Sequence, residues 1–270
     1  MLGVGNTEAG HTLNDGTLLD FAMIRYNADG TVDASFGNNG RVSTDFGYPG
    51  DGTDSAMAGV IVLPDGSILL GGLSQNGPDT QRNRGFSVAK YDSSGNLIAS
   101  FGNNGRQLIA LGLDVAEGRG MCVDSLGRIV LVGEANTIPG AYYNSYAIVR
   151  LTANGQPDAS FGSGGTVIYP FGGLDTYACA VKALPDTSLV VGGAIGDTSG
   201  TNYAKLSVLF LNPDGSRNTS LGTAGVLSID TGVATLEGLA QSMALGPDGS
   251  IYLTGNYNWA PMSIVVVKIH

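Results

Sequence analysis

Hydrophobic positions in this chain fall in short runs separated by glycine-, asparagine- and aspartate-rich punctuation. The run Phe21-Ala22-Met23-Ile24-Arg25-Tyr26 leads to Asp33-Ala34-Ser35-Phe36-Gly37. It returns as Phe86-Ser87-Val88-Ala89-Lys90-Tyr91 leading to Ala99-Ser100-Phe101-Gly102, and as Tyr146-Ala147-Ile148-Val149-Arg150-Leu151 leading to Asp158-Ala159-Ser160-Phe161-Gly162. A degraded copy covers residues 206–222 and ends Thr219-Ser220-Leu221-Gly222; a partial fifth covers 262–270. The recurring aromatic stands at 36, 101 and 161 and becomes Leu221, a period of 60–65 residues. Self-similarity at a fixed period is the mark of a repeat architecture.

The second unit serves as the pattern. Residues 57–63 read as a strand, Pro64-Asp65-Gly66 as a turn, 67–72 as the second strand and 86–91 as the third. A fourth extended segment passes through Leu97 or lies at 106–110. Hairpin turns with positive φ at their centre are expected at Asp29-Gly30, Asp65-Gly66, Asn154-Gly155, Asp214-Gly215 and Asp248-Gly249. Leu126-Gly127 and Asp186-Thr187 are degraded copies. Strands at this spacing, with no helical period between them, describe antiparallel sheets. The expected fold is all-β: a β-propeller of about five four-stranded antiparallel blades with incomplete terminal blades. The units are approximately 1–47, 48–111, 112–171, 172–230 and 231–270, within a single domain. Apolar runs such as Ile129-Val130-Leu131-Val132 suit strands covered on both faces, and Gly71-Gly72, Gly133, Gly192-Gly193 and Gly255 suit close backbone approach. The N-terminal unit lacks its first strand and the C-terminal unit its last, which leaves open edges through which a homo-oligomer would form.

Composition agrees with short strands and tight turns: 43 glycines in 270 residues, and 13% charged. A net charge of −10 disfavours nucleic acid and suits cations or basic partners. No apolar run reaches membrane-spanning length, so membrane insertion is not expected, and the first residues do not read as a signal peptide. Cys122 and Cys179 precede their turns with different parity, which places them on opposite strand faces as small buried hydrophobes rather than a disulfide.

Four sets of residues invite chemistry. Arg25 accompanies Asp33 and Arg150 accompanies Asp158, whereas Lys90 accompanies Ile98 and Phe210 accompanies Asn218. This covariation predicts a partly buried, bidentate ion pair inside the blades that carry the arginine, of structural value. Asp54, Asp175 and Glu237 each stand eleven residues before a turn aspartate, with Asp114 one place off. They either cap strand starts or gather on a rim that would take Ca2+ or a basic peptide. Residues 27–33 resemble a calcium loop only superficially, lacking the terminal bidentate glutamate. Connections at 6–19, 74–85, 135–145, 195–205 and 257–261 vary most, and Tyr142, Tyr143, Tyr203, Tyr257 and Trp259 lie in or beside them. Such aromatics would stack on sugars, anchor a protein ligand, or pack loop against loop. The two histidines, His11 and His270, lie in no motif, and no nucleophile elbow occurs.

The motif aromatic-x-apolar-x-Arg-apolar-Asn-x-Asp-Gly-x-x-Asp-x-Ser-Phe-Gly, followed by apolar-Pro-Asp-Gly-x-Ile-apolar-apolar-Gly-Gly, resembles the delta-60 repeat, a bacterial β-propeller-type repeat family. The resemblance covers nearly the whole chain and is weakest in the fourth unit, at Phe210 and Leu221. It implies the propeller fold and a setting in large secreted or cell-surface proteins. It assigns no catalytic residues and no cofactor. The expected function is a non-enzymatic scaffold for binding or adhesion. The alternatives are a carbohydrate-active enzyme with paired carboxylates in an axial pocket, or a repeat fragment without a separate function.

Overall fold

The computed structural model describes residues 1–7, 19–46, 54–76, 83–111, 115–136, 144–172, 174–196, 205–229, 240–257 and 263–269. Among these the chain forms eighteen strands and no helix, so no helix is long and apolar enough to cross a membrane. The strands make five antiparallel sheets with the topology of β-propeller blades. The first sheet holds β1 (Leu2–Thr7), β2 (Asp20–Arg25) and β3 (Arg41–Thr44), and the second β4 (Asp54–Val62), β5 (Ile68–Asn76), β6 (Asn83–Tyr91) and β7 (Arg106–Ala110). The third contains β8 (Ala116–Val123), β9 (Ile129–Asn136), β10 (Asn144–Leu151) and β11 (Thr166–Tyr169). The fourth contains β12 (Thr176–Ala183), β13 (Leu189–Ile195), β14 (Lys205–Leu211) and β15 (Val226–Ile229), and the fifth β16 (Ala240–Leu245), β17 (Ile251–Tyr257) and β18 (Ser263–Ile269). Each strand pairs with its sequence neighbour, as a meander requires. The fourth strand of the second blade is Arg106–Ala110; Leu97 contributes one isolated bridge to Tyr91. As read from the sequence, the first sheet has no first strand and the last no fourth among the described residues.

Two compact units are distinguished: Met1–Gly118 with Asn154–Gln156, and Arg119–Ala153 with Pro157–His270. In the first, a core of Phe21, Met23, Phe36, Ile68, Leu70, Ala89 and Tyr91 fills the space between the first two sheets. In the second, Val130, Val132, Tyr146 and Phe161 pack on Val181, Val191 and Leu209 of the next sheet. Val190, Leu206 and Val208 then pack on Met243, Ile251 and Leu253. A middle strand is therefore covered on both faces: every residue of β13 is buried, as are all but the last of β9. This is why these strands read as continuous apolar runs, since alternation survives only where one face meets water.

The turns differ from the two-residue hairpin expected. In the chain's own geometry the loop has three residues: Leu63 N–H donates to Ser67 O across Pro64-Asp65-Gly66, and Gly66 N–H donates to Leu63 O. Only the glycine has positive φ, +82° at Gly66 and +85° at Gly30. The aspartate remains in ordinary backbone space because its side chain has another task. Asp65 Oδ1 accepts from Ser67 N–H at 2.9 Å and from Ser67 Oγ at 2.6 Å, the side-chain turn that favours aspartate here. Asp186–Ser188, Asp214–Ser216 and Asp248–Ser250 repeat it. In the copy without glycine, Thr187 itself takes φ +69°.

The first strands of the second, fourth and fifth sheets carry an irregularity at matching places, between Ser55 and Gly59, Ala178 and Ala180, and Ala240 and Ser242. The expected close approach of glycines has its cause here. A Cβ on Gly72 would lie 1.8 Å from Ser55 O, and one on Gly193 would lie 2.1 Å from Tyr177 O. Cys179 is the unpaired residue of its bulge, so it is only partly buried, whereas Cys122 is buried; both are free. The expectation that both cysteines are buried thus holds for Cys122 and not for Cys179, where the bulge interrupts the ladder. Burial pushes both thiols up to about 12.

Candidate functional site

The predicted ion pairs exist, but each arginine does more than pair. Arg150 Nε donates to Asp158 Oδ2 at 2.8 Å, and Arg25 Nε donates to Asp33 Oδ2 at 2.8 Å. Neither pair is bidentate, which corrects the sequence expectation. The second carboxylate oxygen is already committed: Asp158 Oδ1 accepts from Ser160 N–H at 3.0 Å and Ser160 Oγ at 2.7 Å. Asp33 treats Ser35 the same way. The arginine's remaining nitrogens are thus free to reach elsewhere. Nη2 of Arg150 donates to Ser160 Oγ, and Nη1 donates to the carbonyl of Pro213 in the turn of the following blade. Nη1 of Arg25 reaches the carbonyl of Ser93 in the corresponding turn.

Serine, phenylalanine and glycine of the motif complete a clasp. The Arg150 guanidinium lies 4.4 Å above the Phe161 ring, and that of Arg25 lies 4.5 Å above Phe36. The ring also lies against the turn glycine of the next blade: a Cβ on Gly215 would meet Phe161 at 2.9 Å, and one on Gly95 would meet Phe36 at 3.0 Å. Gly162 N–H donates to Asp214 O at 2.8 Å, Gly37 to Ser94 O at 2.7 Å, and Gly102 to Asn154 O at 2.8 Å. Each Ser-Phe-Gly therefore grips the turn between the third and fourth strands of the following unit. Phe36, Phe101 and Phe161 are buried, while Leu221 is 43% exposed. Asn218 still caps Ser220 through Oδ1, so the local turn survives where the aromatic grip has degraded.

The acidic set divides. Asp175 Oδ1 accepts from Asn144 N–H at 2.9 Å, and its other oxygen accepts from the Tyr177 hydroxyl, whose pKa is raised by burial and then by this carboxylate. Asp54 Oδ2 accepts from Phe46 N–H at 2.8 Å. Both thus hold backbone of the preceding blade: Asp175 caps the start of β10, as the capping alternative has it, while Asp54 holds the segment after the end of β3. Glu237 lies outside the described residues, as do Asp114, Tyr142, Tyr143, Tyr203 and Trp259; Tyr257 is the last residue of β17. Asp54 also has company. Its carboxylate oxygen lies with those of Asp20 and Asp45 in a group whose members are all within 4.8 Å of one another. Asp20 and Asp54 are buried and Asp45 is exposed. Burial, with further contributions from Asp45 and Asp20, pushes the Asp54 carboxyl up to about 6.

Sequence reasoning passed over Asp20 and Asp45 because neither recurs: the matching positions hold Ser145 and Pro170 in the third unit. It also missed a bidentate pair between Arg119 on β8 and Glu134 on β9, both bonds 2.6 Å, with Glu134 only 2% exposed. The Arg119 guanidinium stands 5.9 Å from the Tyr177 ring centre. Alternation in β8 was the available signal, since an arginine and a glutamate on adjacent strands seek each other.

Two segments of the sequence, residues 9–36 and 127–161, match the model of a β-propeller domain of unknown function (DUF5122). Both matches end on the clasp phenylalanine, at Phe36 and Phe161. They fit a bacterial propeller-type repeat family, in agreement with the five antiparallel sheets. Comparison with curated proteins gives no match.

Proposed function

We propose that this chain is a non-enzymatic scaffold, a binding or adhesion module of a bacterial secreted or cell-surface protein. One observation carries the reading: the charged residues that recur with the repeat are spent on holding blades together. Arg25, Asp33, Arg150 and Asp158 build clasps, and Asp175 caps a neighbouring strand. Sequence variety is concentrated instead in the connections between second and third strands, where Tyr142, Tyr143, Tyr203 and Trp259 stand. Variable connections on a rigid frame are the usual seat of recognition. Their aromatic content suits a carbohydrate or protein ligand, and open sheet edges suit association with a second copy.

A glycan and polysaccharide array, run beside a solution-mass measurement, tests this. Retention of a glycan class by the full chain, lost on Tyr142→Ala or Trp259→Ala without a change in melting temperature, is expected. Hydrolysis of an arrayed polysaccharide would overturn the non-enzymatic reading. A monomeric mass would sink the association through open edges.

A further inference from the structure

We propose that Asp20, Asp45 and Asp54, with the hydroxyl of Ser74, form a calcium site where the chain passes from the first sheet to the second. The three aspartates come from different elements: the start of β2, the residue after β3, and the start of β4. Their carboxylate oxygens all lie within 4.8 Å of one another. Calcium–oxygen distances of 2.3–2.6 Å allow two oxygens on one ion to stand up to about 5 Å apart. The tighter shell of magnesium, at 2.0–2.1 Å, allows only about 4 Å. The separations in this group are thus within the reach of oxygens that share one calcium ion.

Ser74 is the independent sign of a ligand. It sits opposite Asp54 in the β4–β5 register and is fully buried. Its hydroxyl lies against the Asp54 carboxylate, close enough to favour the charged form, yet makes no hydrogen bond of acceptable geometry. A buried hydroxyl without a partner is uncommon and requires an explanation. An ion between it and the carboxylates supplies one.

The repeat provides an internal control. Capping needs one carboxylate at this place, as Asp175 shows with Asn144 and Tyr177. Around Asp175 the positions matching Asp20 and Asp45 are Ser145 and Pro170. The first junction thus gathers three carboxylates where the later one has an aspartate, a serine and a proline. Protein contacts take up some of their lone pairs: Ser43 Oγ donates to Asp20 Oδ2 and Phe46 N–H to Asp54 Oδ2. The nearby Arg106 spends Nη1 on the backbone carbonyl of Asp45. Exposed Asp45 provides the entry side.

Calorimetric titration of CaCl2 into the EDTA-treated full chain tests the site, with MgCl2 in parallel. Saturable calcium binding is expected, together with a calcium-dependent rise in melting temperature. Asp45→Asn, at an exposed position, should fold normally and weaken binding at least about tenfold, because ligand charge sets affinity in such sites. Ser74→Ala should weaken binding by a smaller factor, and Asp175→Asn should leave it unchanged. The proposal is overturned if CaCl2 gives no heat, if Asp45→Asn binds like the parent, or if MgCl2 binds equally well. Loss of binding in Asp175→Asn with retention in Asp45→Asn would also overturn it, in favour of an acidic rim.

Discussion

Removal of the clasp phenylalanine is the most direct perturbation of the frame. Phe161 is fully buried, lies beneath the Arg150 guanidinium, and touches Gly215 of the following unit. Truncation of a buried phenylalanine to alanine costs about 3–5 kcal/mol. The site cannot collapse easily, since Arg150 is held by Asp158, Ser160 and Pro213, so about 4 kcal/mol is expected. Phe161→Leu keeps most of the apolar area but loses the aromatic face, worth about 0.5–2 kcal/mol for a cation; a loss of about 2 kcal/mol follows. Leu221→Ala is the control at the matching position. With its side chain 43% exposed, it should cost less than about 1 kcal/mol. Urea denaturation followed by far-UV circular dichroism gives the midpoints. Hydrogen exchange at the Gly162 amide, which donates to Asp214 O, reports the clasp locally and should lose protection in Phe161→Ala. A loss below about 1 kcal/mol in Phe161→Ala, or one equal to that of Leu221→Ala, would refute the claim that this ring binds blade to blade.

Two further outcomes follow from comparing repeats. The Tyr146 hydroxyl meets Ser207 Oγ at 2.6 Å, but the matching pair in the first unit is Phe21 and Ser87, and Ser87 Oγ is buried without a partner. Phe21 and Phe46 otherwise copy the edge-on packing of Tyr146 and Phe171, at 5.0 and 5.1 Å. Phe21→Tyr should therefore satisfy Ser87 and stabilise the fold by about 1 kcal/mol; a lower urea midpoint would contradict the equivalence. The turn aspartates contribute to acid stability. Hydrogen bonds from the Ser216 side chain and backbone hold Asp214 below its usual 3.8, and those from Ser250 hold Asp248 down at about 2. A carboxyl depressed in the folded state contributes stability that is complete above its unfolded pKa and is lost as pH falls through the folded value. Each such turn should thus weaken below about pH 4. Asn218 already performs the same capping without a charge, so Asp214→Asn should preserve the turn and flatten that part of the acid limb. An unchanged slope between about pH 4 and pH 2 would sink the assignment.

The repeat itself declared most of the frame. Period, strand order, blade number and incomplete terminal sheets could be read from Phe36, Phe101, Phe161 and the glycine-ended second strands, because every blade must solve the same local problem of turns and covered faces. The pairing of Arg25 with Asp33 and Arg150 with Asp158 was legible from their covariation alone. What the arginine does with its remaining nitrogens was not, since Ser93 and Pro213 offer backbone carbonyls and a carbonyl leaves no trace in side-chain identity. For the same reason the bulge that leaves Cys179 half-buried escaped a parity argument. The gathering of Asp20, Asp45 and Asp54 belongs to tertiary structure entirely. These residues recur at no common position, and only the return of β2, β3 and β4 to one edge places their oxygens together. Repetition thus determined the blades, because each copy restates the same short-range physics; contacts made once, across the space between copies, were decided by the fold.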